Sequence, residues 1–154
     1  MIMMHDQRIK HSPCDPNLGH VGTAENKQLI RDAEQCLANR DREGWLSFLD
    51  DNIRWTVMGT TTWSRTYQGK ATIRSELFAP LTAQYAEPYQ RNLLQLIGDG
   101  DWIVARCQGH VSLNTGDLYD NQYCFLYRIH NGHIHEIIEY GDTALIERVL
   151  KPRV

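Results

Sequence analysis

The chain has 154 residues, 42% of them hydrophobic and 23% charged, with a formal net charge of −3. That length fits one domain able to bury a core without disulfides or metal, and the composition is that of an ordinary soluble globular protein. The acidic balance speaks against a general nucleic-acid binder, and no apolar run approaches the ~20 residues of a membrane span. Four Trp, seven Tyr and three Phe are clustered in this small acidic chain.

Residues 1–22 show no periodicity and hold His5, His11 and His20 beside two Pro and two Gly. They read as a flexible N-terminal arm without a signal peptide, which places the protein in the cytoplasm. The remaining residues, 23–154, form the domain. Cys14, Cys36, Cys107 and Cys124 include no CxxC pair. The last three lie in apolar patterns and read as small buried hydrophobes rather than disulfide partners.

Thr23 is a candidate N-cap, and Leu29, Ile30, Ala33, Cys36 and Leu37 follow at helical spacing, which predicts a helix over 24–39. Asp41 can cap a short second helix that buries Trp45, Phe48 and Leu49 and ends at Asp50-Asp51-Asn52. Ile53–Met58 reads as a strand, and Gly59–Gly69 as a Thr-rich loop. Lys70 to Tyr85 is helical by its apolar spacing, with Pro80 kinking or splitting it. Four strand-like runs follow: Tyr89–Ile97, Asp101–Asn114, Tyr119–His130 and His133–Asp142. Asn131-Gly132 between the last two is a strong hairpin signal. The order predicts an α+β fold, a curved antiparallel sheet with three helices packed on its concave face.

Alternation selects the side chains that can face the space between sheet and helices. One face of the second long run carries Trp102, Val104, Arg106, Gln108 and His110. The next carries Tyr119, Asn121, Tyr123, Phe125 and Tyr127, and the last Ile134, Glu136, Ile138, Tyr140 and Asp142. These faces are assigned inward, and Gly109 is a candidate bulge that would flip the phase beyond it.

The segments "DDNIRWTVMG" and "YQGKATI", with the C-terminal "YDNQYCFLYRIHNGHIHEIIEYGDTALIERVL", resemble the SnoaL-like branch of the nuclear-transport-factor-2-like (NTF2-like) superfamily. The resemblance covers residues 24–150. It implies a cone-shaped α+β fold with one deep apolar pocket and a homodimer formed through the sheet. The branch contains polyketide cyclases, ketosteroid-isomerase-like enzymes, dehydratases, limonene-epoxide-hydrolase-like enzymes and non-enzymatic binders.

By that resemblance Asp142 matches the carboxylate base, and a carboxylate at the inner end of an apolar strand is partly desolvated, which raises its pKa toward that of a general base. The other reading is that Asp142 caps the terminal segment or pairs with Arg106. Arg106 matches the arginine that bridges two carboxylates in the epoxide-hydrolase pattern. The second carboxylate is replaced by Gln108, and Trp55 and Val57 stand where that pattern has Tyr and Asn. The polar groups of ketosteroid isomerases are missing at all three matching positions, near Ala33, Val57 and Phe125. His110, Asn121, Tyr123 and Tyr140 are candidate substrate contacts, each equally readable as a core or strand-end residue. Trp55, Met58, Trp63 and Tyr67 frame the first-strand loop, with Trp63 and Tyr67 as a lid over the pocket mouth. His130, His133 and His135 flank a turn tip that lacks a convergent metal cage. No GxGxxG, P-loop or HExxH motif is present, so neither cofactor nor metal is expected.

The expected function is cofactor-free acid–base chemistry on a hydrophobic small molecule: isomerisation, cyclisation, dehydration or epoxide opening. Asp142 and Arg106 would be catalytic, and Gln108, Tyr123 and Asn121 would orient substrate. The alternative is a non-catalytic ligand-binding or dimerisation module. No nucleic-acid or membrane partner is expected.

Overall fold

A computed structural model describes residues 18–153, with side chains from Gly22 onward. Helix α1 (Leu18–Ala38) begins before Thr23, which is buried within the helix instead of capping it. The part of the predicted arm before Leu18 lies outside the described residues, as do the His5, His11 and Cys14 positions. Ile30, Ala33 and Leu37 form the apolar stripe of α1, and Glu34 is buried on that same face.

Arg40 (φ 61°) turns the chain out of α1, and Asp41 caps α2 (Arg42–Ser47) by accepting the Gly44 N–H at 2.8 Å. Strand β1 (Leu49–Val57) starts earlier than the sequence suggests. Leu49 is fully buried and already pairs with Ile134, and the polar Asp50-Asp51-Asn52 triplet is absorbed by a register shift between Leu49 and Arg54. A short strand β2 (Thr66–Gln68) lies in the expected loop and pairs with β1, burying Tyr67 completely.

Pro80 shapes the next helix in a specific way. The chain runs through α3 (Lys70–Thr72), a π-helical stretch (Ile73–Phe78) and α4 (Ala79–Thr82) without a break. Proline has no N–H to give the carbonyl four residues back, which is Glu76. That carbonyl instead accepts from Arg153 Nε at 2.9 Å. The wide π turn just before Pro80 accommodates its ring, so the helix continues rather than splitting.

The second half is a meander of β3 (Gln90–Asp99), β4 (Trp102–His110), β5 (Gln122–His130) and β6 (His133–Gly141), followed by α5 (Thr143–Val149). The sheet order is β2-β1-β6-β5-β4-β3, with β1 joining β6 in parallel. Asn131 (φ 48°) and Gly132 (φ 73°) make the hairpin turn the sequence announces.

Two bulges bend the sheet, and neither is at Gly109. In β3 the pairing skips Leu94, which is exposed, and in β6 it skips His135. Each adds a residue to one strand and reverses which side chains face inward beyond it. The concave side then presents Arg91, Leu93 and Leu96 from β3, and Ile103, Ala105, Cys107 and Gly109 from β4. It takes Tyr123, Phe125 and Tyr127 from β5, and Ile137 and Glu139 from β6. The helices close over this side.

Candidate functional site

Between the helices and the concave sheet lies a cavity of about 150 Å³, walled mostly by aromatic and aliphatic side chains. Trp45, Trp55, Phe78 and Phe125 form its aromatic centre, with Trp55 edge-on to Phe78 at 5.6 Å and to Phe125 at 6.4 Å. Tyr123, Phe125 and Tyr127 stack along β5 at 5.1 and 5.8 Å between neighbours, as alternate residues on one strand face can.

Three charged side chains reach this wall: Glu139, Arg91 and Arg42. Glu139 accepts a hydrogen bond from Trp55 Nε1 at 2.8 Å. Glu139 is partly buried against the cavity. Burial pushes its carboxyl up to about 7, against the lowering effects of the Trp55 hydrogen bond and the Arg91 charge. Arg91 is held away from free chemistry by Glu34 of α1, through Nε–Oε2 at 2.9 Å and Nη2–Oε1 at 2.6 Å. Both side chains are less than a tenth exposed. The guanidinium also lies 4.8 Å from the Phe125 ring centre.

Tyr85, Tyr89, Tyr119 and Tyr123 supply the cavity's phenol hydroxyls. Burial raises all four phenols above their ordinary pKa, Tyr119 to about 12, so each remains an O–H donor at neutral pH. Tyr119 Oη accepts from Tyr123 Oη at 3.1 Å and from Asn121 Nδ2 at 3.2 Å. With its acceptor positions so used, its own proton is available to a third partner in the cavity. Gly109 makes the close approach of these rings feasible, since a Cβ there would lie 2.3 Å from Tyr89 Oη and 3.0 Å from a Tyr123 ring carbon.

The structure redistributes the residues singled out from sequence. Trp55, Trp63 and Tyr123 line the cavity. Asn121 is fully buried behind the wall, where its Oδ1 accepts the Asp142 N–H at 2.8 Å. Asp142 lies beyond the wall and caps α5, its carboxylate accepting the Leu145 N–H at 3.1 Å; it does not meet Arg106. Arg106, Gln108 and His110 lie on the opposite face of β4 from the cavity, because the apolar half of the alternation is the buried one. Arg106 bonds Gln95 at 3.1 Å on that outer face, and His110 bonds Asp120 at 2.5 Å. Tyr140 is 47% exposed, turned outward by the β6 bulge, which brings Glu139 inward in its place.

Met58 and Tyr67 do not reach the cavity. Met58 N–H bonds the Glu139 carbonyl, and Tyr67 Oη bonds the Trp63 carbonyl at 3.0 Å. Trp63 is a packed end wall rather than a lid. Its Nε1 bonds the Lys151 carbonyl at 3.2 Å, Lys151 N–H bonds Gln84, and Arg153 N–H bonds Thr62. Ile146 and Leu150, flanking these ties, complete that wall. His135 bonds the His130 carbonyl, and no group of three metal-capable side chains converges among the described residues.

Glu139, Arg91, Glu34, Tyr85 and Tyr89 were not among the residues singled out. The signal for Glu139 is the pair Ile134 and Ile137. Two core isoleucines three apart in a strand require an extra residue between them, and counting from Ile137 puts Glu139 inside.

A SnoaL-like domain model matches residues 30–137, more than half of the chain. No curated protein matches the sequence significantly. Among solved structures, an NTF2-like protein of unknown function from Burkholderia pseudomallei superposes with a TM-score of 0.72 at 22% identity, covering 82% of this chain and 97% of that one. A putative SnoaL-like polyketide cyclase from Jannaschia superposes at 0.68 with 12% identity, covering 91% and 95%. A Mycobacterium tuberculosis protein in complex with estradiol-17β-hemisuccinate superposes at 0.65 with 17% identity, covering 78% and 95%. At these identities the structural likeness shows the fold, the six-stranded curved sheet with helices over its concave side that NTF2-like proteins share, and the matched domain adds the lineage: the chain belongs to the SnoaL-like family.

Proposed function

We propose that the protein performs cofactor-free acid–base chemistry on a hydrophobic small molecule bound in the aromatic cavity, with Glu139 as the proton-transferring group. The observation that carries this reading is a carboxyl on the cavity wall, anchored by Trp55 and poised near neutrality by burial. A base whose pKa lies near the working pH combines a useful ionised fraction with useful basicity. Glu139 would take a proton from a carbon acid. Tyr119, whose oxygen already accepts two hydrogen bonds, would donate to the oxygen that becomes negative. Arg91, paired with Glu34, supplies positive potential without being a proton donor at neutral pH. The ligand bound in the Mycobacterium tuberculosis neighbour, a steroid ester, supports a flat apolar ligand class.

Deuterium exchange tests this directly. The protein is incubated in D2O with a panel of cyclic ketones, and label at the carbon next to the carbonyl is read by mass spectrometry. Exchange above the buffer rate is expected for at least one ketone, falling by about 100-fold in Glu139→Gln and by a comparable factor in Tyr119→Phe. Equal exchange by Glu139→Gln and wild type would refute the role of Glu139.

A binding module without catalysis is the second reading. It is favoured by the mutual pairing of Tyr119 and Tyr123 and by the closed Arg91–Glu34 pair. Ligand retention without exchange would identify it.

The outer sheet face carries Val104, Leu126 and Ile138 with the exposed Tyr140, which supports association of two copies through the sheet. No described helix is long and apolar enough to cross a membrane. Free Cys36, Cys107 and Cys124 favour a reducing, cytoplasmic setting.

A further inference from the structure

Of the two arginines on the cavity wall, Arg91 is buried and ion-paired, whereas Arg42 is exposed and has no ion pair or hydrogen bond among the described residues. Arg42 sits in the first turn of α2, with its guanidinium carbon 5.9 Å from the Phe78 ring centre. Its two acidic neighbours in sequence are engaged elsewhere: Asp41 accepts the Gly44 N–H as the cap of α2, and Arg74 holds Glu43 through two hydrogen bonds of 2.6 Å. Arg42, Phe78 and Thr82 line both the cavity and a more open surface depression formed with Glu43, Arg74 and Ala79. The cavity therefore meets the surface at Arg42. From Glu139 the wall runs through Trp55 to Phe78 and ends at that guanidinium, with 5.6 Å between the two rings and 5.9 Å from Phe78 to the cation.

We infer that Arg42 is a specificity-determining residue that binds an anionic group, a carboxylate or sulfonate, at the mouth-side end of a flat apolar ligand. The inference rests on the proposed ligand-binding role of the cavity and adds the charge and orientation of what binds. A guanidinium laid against an aromatic ring keeps its fork of donors in one plane, which suits a two-oxygen anion. The apolar body lies along Trp55 and Phe78, and the end remote from the anion lies toward Glu139. A neutral ligand of the same shape fills the cavity and leaves Arg42 to water.

Two dyes that differ only in one sulfonate test this: 1-anilinonaphthalene-8-sulfonate and its uncharged parent, N-phenyl-1-naphthylamine. Each is titrated by fluorescence into the full chain, as wild type, Arg42→Gln, Arg42→Lys, the remote surface control Arg148→Gln and the cavity-filling Leu81→Trp. Wild type should bind the sulfonate more tightly than its parent, and that preference should fall as salt is raised. Arg42→Gln should weaken the sulfonate by about 10-fold and leave the parent dye unchanged, with Arg42→Lys intermediate and Arg148→Gln like wild type. Absence of a sulfonate preference, or equal losses in Arg42→Gln and Arg148→Gln, would overturn the inference while leaving the cavity as a binding site. If neither dye binds, or if Leu81→Trp binds both as wild type does, the binding role of the cavity fails, and the inference with it.

Discussion

The Trp55 indole and the Glu139 carboxylate meet at 2.8 Å across neighbouring parallel strands, where Val57 is the register partner of Glu139. A residue two places along β1 thus reaches diagonally to the acid, and the parallel β1–β6 pairing fixes the orientation of the one carboxyl that described residues place on the cavity wall. Stability should carry the signature of this arrangement. Because the folded-state pKa lies above the ordinary carboxyl value, the folded protein holds its proton more tightly than the unfolded chain. The contribution of Glu139 to stability is therefore greatest below the ordinary value of 4.5 and declines as pH rises to about 7, where the decline levels off. Glu139→Gln should melt close to wild type at pH 5 and several degrees higher at pH 8, in thermal scans at both pH values.

The buried Arg91–Glu34 pair ties α1 to β3. Glu34→Gln alone leaves the arginine charge without its partner and should cost about 3–5 kcal/mol. The double variant Glu34→Leu, Arg91→Met removes both charges and should recover most of that loss. Urea midpoints of wild type, Glu34→Gln and the double variant give the comparison.

Gly109→Ala places a methyl against the Tyr89 hydroxyl, so the ring must move or the strand must shift. A loss of about 1–3 kcal/mol is expected, typical of overpacking. The dye affinities should change with it, since Tyr89 lines the cavity.

Asp142 offers a clean separation of cap from acid. Asp142→Asn keeps a side-chain oxygen for the Leu145 N–H and should leave melting and deuterium exchange near wild type. Asp142→Ala should lower stability by about 1 kcal/mol through loss of the cap. A selective loss of exchange in a stable Asp142→Asn would return Asp142 to the chemistry.

Arg106→Ala checks the phase of β4. On the outer face it should change stability by no more than about 0.5 kcal/mol and leave dye binding intact. A large loss of ligand affinity would mean that the strand faces the other way.

Local signals were readable where one residue decides the geometry. Asp41 caps α2, Asn131-Gly132 makes the turn, and the inward face of β5 from Tyr123 to Tyr127 follows plain alternation. Strand phase was not readable where alternation breaks. In β6 the extra residue at His135 exchanges the roles of Tyr140 and Glu139, and in β3 the adjacent Leu93 and Leu94 hide the phase that brings Arg91 inward. In β4 the apolar series Ile103, Ala105 and Cys107 is the buried one, although the reading from alternation points the series containing Arg106 inward. Long-range pairs such as Arg91–Glu34 depend on which helix covers which strand, and no local pattern carries that.

The ties at the far end of the cavity run largely through main-chain atoms: the Lys151 carbonyl and N–H and the Arg153 N–H. That end of the wall is accordingly indifferent to which side chain occupies position 151 and intolerant of a change in spacing. A one-residue deletion between Ile146 and Lys151 would offset all three ties from Trp63, Gln84 and Thr62 at once, whereas Lys151→Ala would disturb none of them. Among related chains, then, position 151 should vary freely in side chain while the segment holds its length.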